Sequence, residues 1–484
     1  MTLHIYDTAD PARSECWSAE ADGRTLPVHF ARVSAVPFNR RWPGHQRTLD
    51  QTEEAAFIRF AADGPVELRL TPHRRFREIV VRPLSRTVVP VVAGDSARVV
   101  LPAPGGYTVE TDDGHQALHV FFDPLPDYHV KPDDPDTLYF GPGQHDVGMV
   151  HLKTGQTVYL DEAAVVYGCF HAKDADRIRI LGRGILDNSR HREVILFEVD
   201  QPDADGHAVK NFVRPHTVQF ERGHDIRVEG ITIRDSLCYN IAAYDCEELH
   251  VESVKIIGCW RYNTDGINLH NCRHCSIRHC FLRTYDDAIC VKGHEGCTPD
   301  AGHIRVEGCT IWCDWGRGLE IGAETRAERI HDVLFRDCDL IRSAHIALDV
   351  QNVHYAEVHD IVFENIRVEY DPRAPQPTMQ RDDAATYQDP SDGAYMPVLF
   401  TAVVYAHPEY SRGCERRGRN RDITVRDIRI YADRMPATRI GGCDEQHQCS
   451  NIRFENIRLN DRRMTTLEEA RIRVERFANG VTIE

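Results

Sequence analysis

Three aspartates occupy turns in two neighbouring segments of the chain. Asp265 lies in Asn-Thr-Asp-Gly (263–266), and Asp286 and Asp287 lie side by side in Tyr-Asp-Asp-Ala (285–288). Aspartate is an ordinary turn residue, so one of them alone would indicate only a turn. Their spacing is slightly less than one unit of the repeat described next, which predicts that the carboxyl groups meet and raise one another's pKa. One protonated and one ionised carboxyl is the pair that hydrolyses a glycosidic bond with inversion.

A repeated pattern of nine residues must position these turns. Each copy starts with a turn residue, alternates apolar and polar side chains, bends at two central residues and alternates again, as in Asp-Ile-Arg-Val-Glu-Gly-Ile-Thr-Ile at 225–233. Alternation with a period of two is typical of strands, and a long repeat without a helical stripe indicates a solenoid. We therefore predict an all-β protein whose main domain is a right-handed parallel β-helix. The second residue of the copies falls at positions 226, 249, 275, 304, 333, 361, 423 and 452.

The repeat also divides the chain into domains. Residues 1–127 lack it and contain short alternating segments, which predicts an N-terminal antiparallel β-sandwich. Prolines crowd the predicted linker at 128–137, and the β-helix is predicted to fill 138–484. The step of 62 residues from position 361 to 423 exceeds one coil. We place the excess in 371–395 as a wall or lid of a cleft, and we expect 398–405 to be the strand of that coil.

Composition and charge exclude several kinds of partner. The 484 residues carry 58 lysines and arginines against 75 aspartates and glutamates, and the formal charge of −17 disfavours nucleic acids and anionic membranes. No apolar run is long enough to predict a membrane span. The first residues do not resemble a signal peptide, so we expect a cytoplasmic protein whose 16 cysteines are reduced. Cys272 and Cys275 have zinc-like spacing, but Cys275 also fits an interior position of the repeat, and we predict neither a metal nor another cofactor.

Ordered motifs in the repeat region resemble known glycoside hydrolases. Asn-Thr-Asp-Gly at 263–266, Asp-Asp-x-Ile-x-x-Lys at 286–292 and Gly-x-Gly-Leu-x-Ile-Gly at 316–322 resemble the polygalacturonase family, glycoside hydrolase family 28. Tyr-Phe-Gly-Pro-Gly-Gln-His at 139–145 and Gly-Ile-Leu-Asp at 184–187, with the predicted sandwich, look more like the dextranases and isopullulanases of family 49. The two families share one clan and one fold.

The resemblance covers roughly 138–460 and implies roles for four residues. Asp286 would be the general acid, and Asp265 and Asp287 would activate the attacking water. Lys292 matches the family's lysine at the end of the Asp-Asp strand and would bind the substrate. Adjacent residues of a flat strand point to opposite faces, so the chain must bend at the aspartate pair if both act.

Departures from family 28 bear on the substrate. Arg317 stands where polygalacturonases have a histidine, and the next coil offers Asp349 where they use an Arg-x-Lys pair to hold a uronate. A carboxylate facing a uronate repels it, which favours a neutral sugar. Arg317, Glu320, Glu324 and Asp349 are then candidates for hydrogen bonds to sugar hydroxyls. The candidates for stacking on sugar rings are three tryptophans near the predicted cleft: Trp260, Trp312 and Trp315.

The leading prediction is an inverting hydrolase of a neutral poly- or oligosaccharide, such as an α-glucan. A galacturonan hydrolase remains an alternative, because that is the substrate of family 28. A β-helix lyase or epimerase would instead use calcium and a basic proton abstractor, a role open to Lys292 or Arg317. A non-catalytic binding or adhesion module would use the groove without the carboxylates. The oligomeric state is left open.

Overall fold

The computed structural model of the chain is built almost entirely from β-strands. It describes all residues except 7–9, 36, 38–48, 191–196, 200–209, 213–214, 298, 376–378, 383–384, 388–396 and 409. Its helical segments within that range are two short 3-10 turns, Leu49–Gln51 and Leu84–Arg86. None of the helical segments described has the length or the apolar character needed to cross a membrane.

The described residues of the N-terminal region form eleven strands. They are β1 (Leu3–Ile5), β2 (Trp17–Ala21), β3 (Arg24–Thr25), β4 (His29–Ser34), β5 (Thr52–Ala62), β6 (Val66–Pro72), β7 (Ile79–Arg82), β8 (Val91–Ala93), β9 (Ser96–Leu101), β10 (Gly105–Thr111) and β11 (Leu118–Asp123).

These strands form two sheets that enclose one apolar core. The first sheet contains β1, β4, β5, β7, β10 and β11, and the second contains β2, β3, β6, β8 and β9. Every pair is antiparallel except β5 with β11. Alternation in β6 turns Val66, Leu68 and Leu70 into this core and leaves Glu67 and Arg69 outside. The predicted sandwich is confirmed, with one parallel pair that was not expected.

The rest of the chain contributes 31 strands to one continuous stack of coils, and two hairpins lie outside it. The hairpins are β18 (Phe197–Val199) with β19 (Lys210–Phe212), and β37 (Met379–Asp382) with β38 (Ala385–Tyr387). The stacked strands are β12 (Thr137–Phe140), β13 (Gly143–Leu152), β14 (Thr157–Leu160), β15 (Ala164–Lys173), β16 (Arg179–Gly182), β17 (Ile185–Asp187), β20 (Val218–Glu221), β21 (His224–Glu229), β22 (Thr232–Arg234), β23 (Ile241–Tyr244), β24 (Glu247–Glu252), β25 (Lys255–Ile257), β26 (Ile267–His270), β27 (Ser276–Arg278), β28 (Phe281–Thr284), β29 (Ile289–Gly293), β30 (Ala301–Glu307), β31 (Thr310–Cys313), β32 (Arg317–Thr325), β33 (Arg329–Arg336), β34 (Asp339–Ser343), β35 (Ile346–Asn352), β36 (Glu357–Glu369), β39 (Val398–Val404), β40 (Arg419–Tyr431), β41 (Thr438–Gly441), β42 (Cys449–Glu455), β43 (Arg458–Leu459), β44 (Arg462–Arg463), β45 (Ile472–Val474) and β46 (Ala478–Ile483).

The coils stack into three parallel sheets, which confirms the predicted parallel β-helix. Sheet 1 runs from β12 through β21, β24, β27, β30, β33, β36, β40 and β42 to β46. Sheet 2 contains β17, β22, β25, β28, β31 and β34. Sheet 3 contains β20, β23, β26, β29, β32, β35, β39, β41 and β45. We retain as a proposal that the sandwich at 1–127 and the β-helix at 138–484 are separate folding units.

The register of sheet 1 follows the sequence repeat. Ile226 pairs with Leu249 in the first clear copies. Across the 62-residue step, Ile361 pairs with Ile423. The residue before each repeat position has a positive φ of 50–56°. Seven of these eight residues are Asp, Asn or His, the types other than glycine that tolerate this conformation best, so the turn chemistry sets where each coil begins.

The interior of the coils is a continuous apolar ladder. Cys280, Cys309 and Cys338 occupy neighbouring coils of it and are buried, as the repeat predicted. Cys272 and Cys275 are buried in the same core rather than displayed at the surface. All 16 cysteines are free thiols, and buried thiols of this kind act as small apolar side chains.

The 62-residue step is one coil with an insertion, as predicted. β39 lies between β35 and β41 in sheet 3 and is the strand expected at 398–405. Most of 371–395 falls outside the described residues, so its predicted role as a wall or lid stays a prediction. The loop 405–418, which follows β39, is described almost completely and lies beside the cleft discussed below.

Candidate active site

Sheet 3 forms the floor of a cleft because its strands alternate inward and outward side chains. Ile267, Leu269, Ile289 and Val291 point into the core. Parallel pairing aligns the outward residues into columns. Most of these outward residues are polar and buried, although they do not belong to the apolar core. Such a concentration of buried polar side chains is unusual. The first column is Asn268, Cys290, Glu320, Asp349 and Thr401, and the second is Tyr244, His270 and Lys292.

Two adjoining cavities, of about 490 and 710 Å³, open above this floor. Trp315, Arg317 and Tyr410 line both cavities and form their common border. Carboxylates outnumber cationic side chains in the combined lining by eight to four. The carboxylates are Asp265, Asp286, Asp287, Glu295, Glu320, Glu324, Asp349 and Glu475, and the cations are Lys292, Arg317, Arg326 and Arg439.

Asp286 and Asp287 lie in a bend between β28 and β29, where the resemblance requires the chain to turn. The backbone N–H of Asp287 donates to the Asp286 carboxylate at 3.0 Å. Gly316 packs against this bend, and a Cβ atom there would clash with the backbone nitrogen of Asp287. Asp265 joins the pair because the backbone N–H of Gly266 donates to the Asp287 carbonyl at 2.8 Å. The structure thus brings together the three aspartates that the sequence spacing singled out.

Lys292 is the first of two cations in this cluster. Its Nζ atom lies 3.5 Å from Asp265, 3.4 Å from Asp287 and 3.6 Å from Glu324. The side chain is 3% exposed, so its charge is held by these carboxylates rather than by water. The lysine predicted from the motif therefore lies at the centre of the carboxylate cluster.

Arg317 is the second cation. Its guanidinium lies 3.7 Å from Asp287, 3.8 Å from Glu320 and 3.4 Å from Asp349. The backbone N–H of Arg317 also donates to the Asp287 carboxylate at 3.0 Å. Among the described carboxylates of the cleft, Asp287 is thus the one that contacts both cations.

Burial and charge separate the pKa values of the adjacent aspartates. Burial raises the pKa of Asp286 well above its usual range, and the Asp265 and Asp287 carboxylates raise it further. Burial also acts on Asp287, but Lys292 and Arg317 outweigh it and lower the pKa of that carboxyl. Burial, which Lys292 only partly offsets, raises the pKa of Asp265 to about 8. Of the two adjacent carboxyls, Asp286 is therefore the one that favours its proton, and Asp287 is ionised at neutral pH.

The residues predicted to bind sugar hydroxyls fall into two groups. Glu324 lines the cleft with a side chain that is 33% exposed, so it can reach a ligand. Glu320 and Asp349 are fully buried beside Arg317. Arg317 partly compensates the charge of Asp349, a contact that the sequence did not predict.

The three tryptophans also separate. Trp315 lines both cavities and stacks on Tyr285, with ring centroids 5.8 Å apart. Trp260 is buried, and its Nε1 donates to an aspartate on the preceding coil. Trp312 is buried against His119 of the N-terminal sheet. Of the three, only Trp315 is placed where a sugar ring could stack.

A wall of aromatic and imidazole rings was missed by sequence reasoning. Five rings line the smaller cavity, and two of them, Tyr244 and His270, stack with centroids 4.5 Å apart. His270 is 2% exposed, and neither of its ring nitrogens has a hydrogen-bond partner among the described residues. Burial and Lys292 hold the pKa of His270 well below its usual range, so its ring is neutral. The wall consists of His216, Tyr239, Tyr244, His270 and His294.

Tyr410 was also missed, because it lies in the loop 405–418. His354 Nε2 donates to the Tyr410 carbonyl at 2.7 Å, and Ser411 Oγ donates to the Val353 carbonyl at 2.7 Å. These bonds fix the loop against the coil that follows β35. No repeat marks the loop in the sequence, so its place at the border of the cavities could not be predicted.

One group in the described part of the chain has the composition of a metal site. Asp287, Cys290 and Glu320 each place a potential ligand atom within 4.8 Å of the others. Lys292 and Arg317 already contact these carboxylates and supply the positive charge that a cation would bring. We assign no metal to this group.

The fold and the site define the chain as a parallel β-helix protein with a carboxylate-lined cleft. Residues 169–371 match the family model described as "Glycosyl hydrolases family 28". This match and the relatives below confirm the resemblance to polygalacturonase-like and dextranase-like glycoside hydrolases.

Two curated relatives and one solved structure illustrate the similarity. The chain is 24% identical to a probable exopolygalacturonase B of Aspergillus terreus over 40% of its own length and 45% of that protein. It is 22% identical to a dextranase of Arthrobacter globiformis over 48% and 40%. Thus the chain spans less than half the length of these relatives. The structure of Dex49A from Penicillium minioluteum aligns with 99% of this chain and 96% of its own, at 12% identity and a TM-score of 0.57, which reflects the shared fold.

Proposed function

We propose that this protein is an inverting glycoside hydrolase that cleaves a neutral poly- or oligosaccharide in the cleft above sheet 3. The observation that carries the proposal is the division of charge within one bend. Asp286 has no cationic side chain within 4 Å in the described part of the chain, whereas two cations and a backbone N–H hold the neighbouring Asp287. A protonated acid beside an ionised base is what this hydrolysis needs.

The reaction then assigns one task to each carboxyl. Asp286 gives its proton to the glycosidic oxygen as the bond to the anomeric carbon breaks. Asp287 takes a proton from the water that attacks the opposite side of that carbon, and Asp265 helps to orient the water. The released sugar carries the new hydroxyl in the inverted configuration. Proton exchange with solvent afterwards restores the proton on Asp286 and the charge on Asp287.

The charge of the cleft supports a neutral substrate. The two central cations are shared among buried carboxylates, and the outer ones are paired as well: Arg326 with Glu295 at 3.1 Å and Arg439 with Glu475 at 3.2 Å. Among the described lining residues, a uronate would therefore find no cation without a carboxylate partner. It would gain little attraction from these cations, because carboxylates already compensate their charge.

The uncharged part of the lining suits sugar rings and hydroxyls. Trp315 and Tyr239 offer aromatic faces, and His270 offers two ring nitrogens that no described residue hydrogen-bonds. Because the ring of His270 is neutral, one nitrogen donates and the other accepts a hydrogen bond. A neutral sugar hydroxyl can satisfy either.

The test is a substrate panel. Purified protein is incubated with neutral α-glucan oligosaccharides and with oligogalacturonides, and the products are followed by mass spectrometry and proton NMR, with Asp286→Asn protein as the blank. We expect cleavage of a neutral member and a product that first appears with inverted configuration. Preferred cleavage of galacturonides would overturn the neutral substrate, a retained product would overturn the mechanism, and an unsaturated product absorbing in the ultraviolet would indicate a lyase.

A further inference from the structure

Glu320 is a buried carboxyl with almost no hydrogen bonds. It lies in β32 and is fully buried between Cys290 and Asp349 in the first column of the cleft floor. In the described part of the chain, its Oε2 accepts one hydrogen bond, from the Cys290 thiol at 3.4 Å, and its Oε1 has no partner. A thiol is a weak donor, so an ionised Glu320 would be a poorly solvated charge.

The nearby guanidinium cannot compensate this charge in full. Arg317 is 3.8 Å from Glu320, but it is also 3.4 Å from Asp349 and 3.7 Å from Asp287. Three carboxyl groups around one guanidinium carry excess negative charge if all are ionised. A proton on Glu320 removes part of that excess and converts an unsatisfied acceptor into a donor.

Asp287 lies within reach of that proton. Side-chain atoms of Asp287, Cys290 and Glu320 all lie within 4.8 Å of one another. Burial and the charge of Asp287 raise the pKa of Glu320 well above its usual range. The Glu320 side chain also contributes to the lowered pKa of Asp287, after the effects of burial, Lys292 and Arg317.

We propose that Glu320 is a positioning residue that, as a neutral carboxylic acid, donates a hydrogen bond to the Asp287 carboxylate and keeps it ionised and aimed at the attacking water. The proposal rests on the hydrolytic function proposed above, because it gives Asp287 the task of accepting a proton from water. Glu320 keeps its own proton throughout and does not touch the substrate. This positioning role therefore differs from the hydroxyl-binding role that the sequence suggested for Glu320.

Two variants separate this role from simple packing. Glu320→Gln retains a donor of nearly the same shape, and we expect kcat within about tenfold of wild type. Glu320→Leu removes the donor, and we expect kcat to fall about 10²-fold, the usual loss for one charge-stabilising donor, with little change in KM. Without that donor the pKa of Asp287 rises, so the acid limb of the pH profile moves to higher pH in Glu320→Leu and stays in place in Glu320→Gln. Glu328→Gln, at an exposed carboxylate, is the control and should leave the profile unchanged.

A second measurement needs no activity. The infrared spectrum of wild-type protein at pH 7 should contain a carbonyl band from the buried, protonated Glu320. This band should be absent from Glu320→Gln protein, provided that the two proteins have the same melting temperature. If the two proteins do not differ in this carboxylic acid band, Glu320 is ionised. That result would overturn the proposal, even if no substrate has been found. Equal kinetic losses in the two variants would overturn it as well, while inactivity of Asp286→Asn protein would still support the hydrolase. A wild-type enzyme that cleaves nothing in the panel would instead count against the proposed function, and the infrared band would still decide the state of Glu320.

Discussion

Two faces of the same β-helix bury charged side chains, and they do so in opposite ways. Sheet 2 packs against the N-terminal sandwich, and there Arg234 lies 2.7 Å from Asp10 and Arg342 lies 2.6 Å from Glu110. In the cleft above sheet 3, the two central cations lie 3.4–3.8 Å from the carboxylates they share. These interface carboxylates thus have cationic partners at 2.6–2.7 Å, whereas the cleft carboxylates lie at least 3.4 Å from theirs.

The pKa values follow this difference. At the interface, hydrogen bonds and cations overcome burial and lower the pKa of Asp10 and Glu110. Glu369 is an exception, because burial raises its pKa to about 7 despite its ion pair with Arg82. In the cleft, burial prevails at Asp286. Burial of a charge is therefore not a sign of function by itself; burial without a matching partner is.

The largest expected effect comes from removing the unmatched acid. Asp286→Asn should lower kcat by about 10²–10⁴-fold on an oligosaccharide, because the leaving oxygen then receives no proton. The loss should be much smaller on a substrate with an activated aryl leaving group, which departs without a proton. Steady-state kinetics on both substrates measure the difference.

The matched control for this variant is a buried carboxylate of the other face. Asp339 pairs with Arg367 at 2.7 Å on the side of the sandwich. Asp339→Asn should lower the melting temperature and leave kcat of the folded enzyme unchanged. Full activity of Asp286→Asn protein, or equal losses on the two kinds of leaving group, would remove Asp286 from the role of general acid.

A substitution at the interface between the sandwich and sheet 2 should change the stability of the protein rather than its catalytic rate. Arg82 is 3% exposed and pairs with Glu110, Glu369 and Asp371. Arg82→Met leaves these carboxylates without that partner, and we expect a destabilisation of about 3–5 kcal/mol with kcat unchanged at a temperature where the protein stays folded. Thermal melting and activity of the same preparation give both readouts. Arg179→Met, at a partly exposed arginine, serves as the comparison. This variant should have a melting temperature close to that of wild type.

Most of the β-helix could be predicted because the sequence patterns that specify it are local and recur from coil to coil. The alternation at 225–233 recurs in every later coil, and the turn residue before each repeat position adopts the left-handed conformation that Asp, Asn and His accept. The aspartate cluster followed from the same repeat, since a spacing of nearly one coil brings Asp265 beside Asp286 and Asp287. The motif alignment added Lys292, which the structure places among them.

The remainder depended on contacts that the repeat does not encode. Nothing local in the sequence shows that Arg317, on the previous coil, lies 3.4 Å from Asp349. Tyr410 borders the cavities from a loop without a pattern. The parallel pairing of β5 with β11 joins segments that are far apart in the chain. The ring wall around His270 lies on outward positions, where residue types need not repeat.

The last prediction concerns stability, and the expected effect has the opposite sign to that of the interface. Burial raises the pKa of Asp265 to about 8 in the folded protein, against about 3.9 in an unfolded chain. The folded state then binds this proton more tightly, so the carboxyl subtracts stability as pH rises from about 4 to about 8. Asp265→Asn removes that cost, and we expect it to raise the melting temperature at pH 8 and to change it little at pH 4, while activity on both kinds of leaving group is lost.

Melting curves at the two pH values measure this difference, and Asp123→Asn is the matched variant at the interface. Asp123 is paired there with Lys255 and Arg183, so its replacement should destabilise at pH 8. If Asp265→Asn protein also melts below wild type at pH 8, the cleft carboxylates stabilise the fold as the interface ones do. The contrast between the two faces would then fail at Asp265, whose raised pKa lies within the accessible pH range.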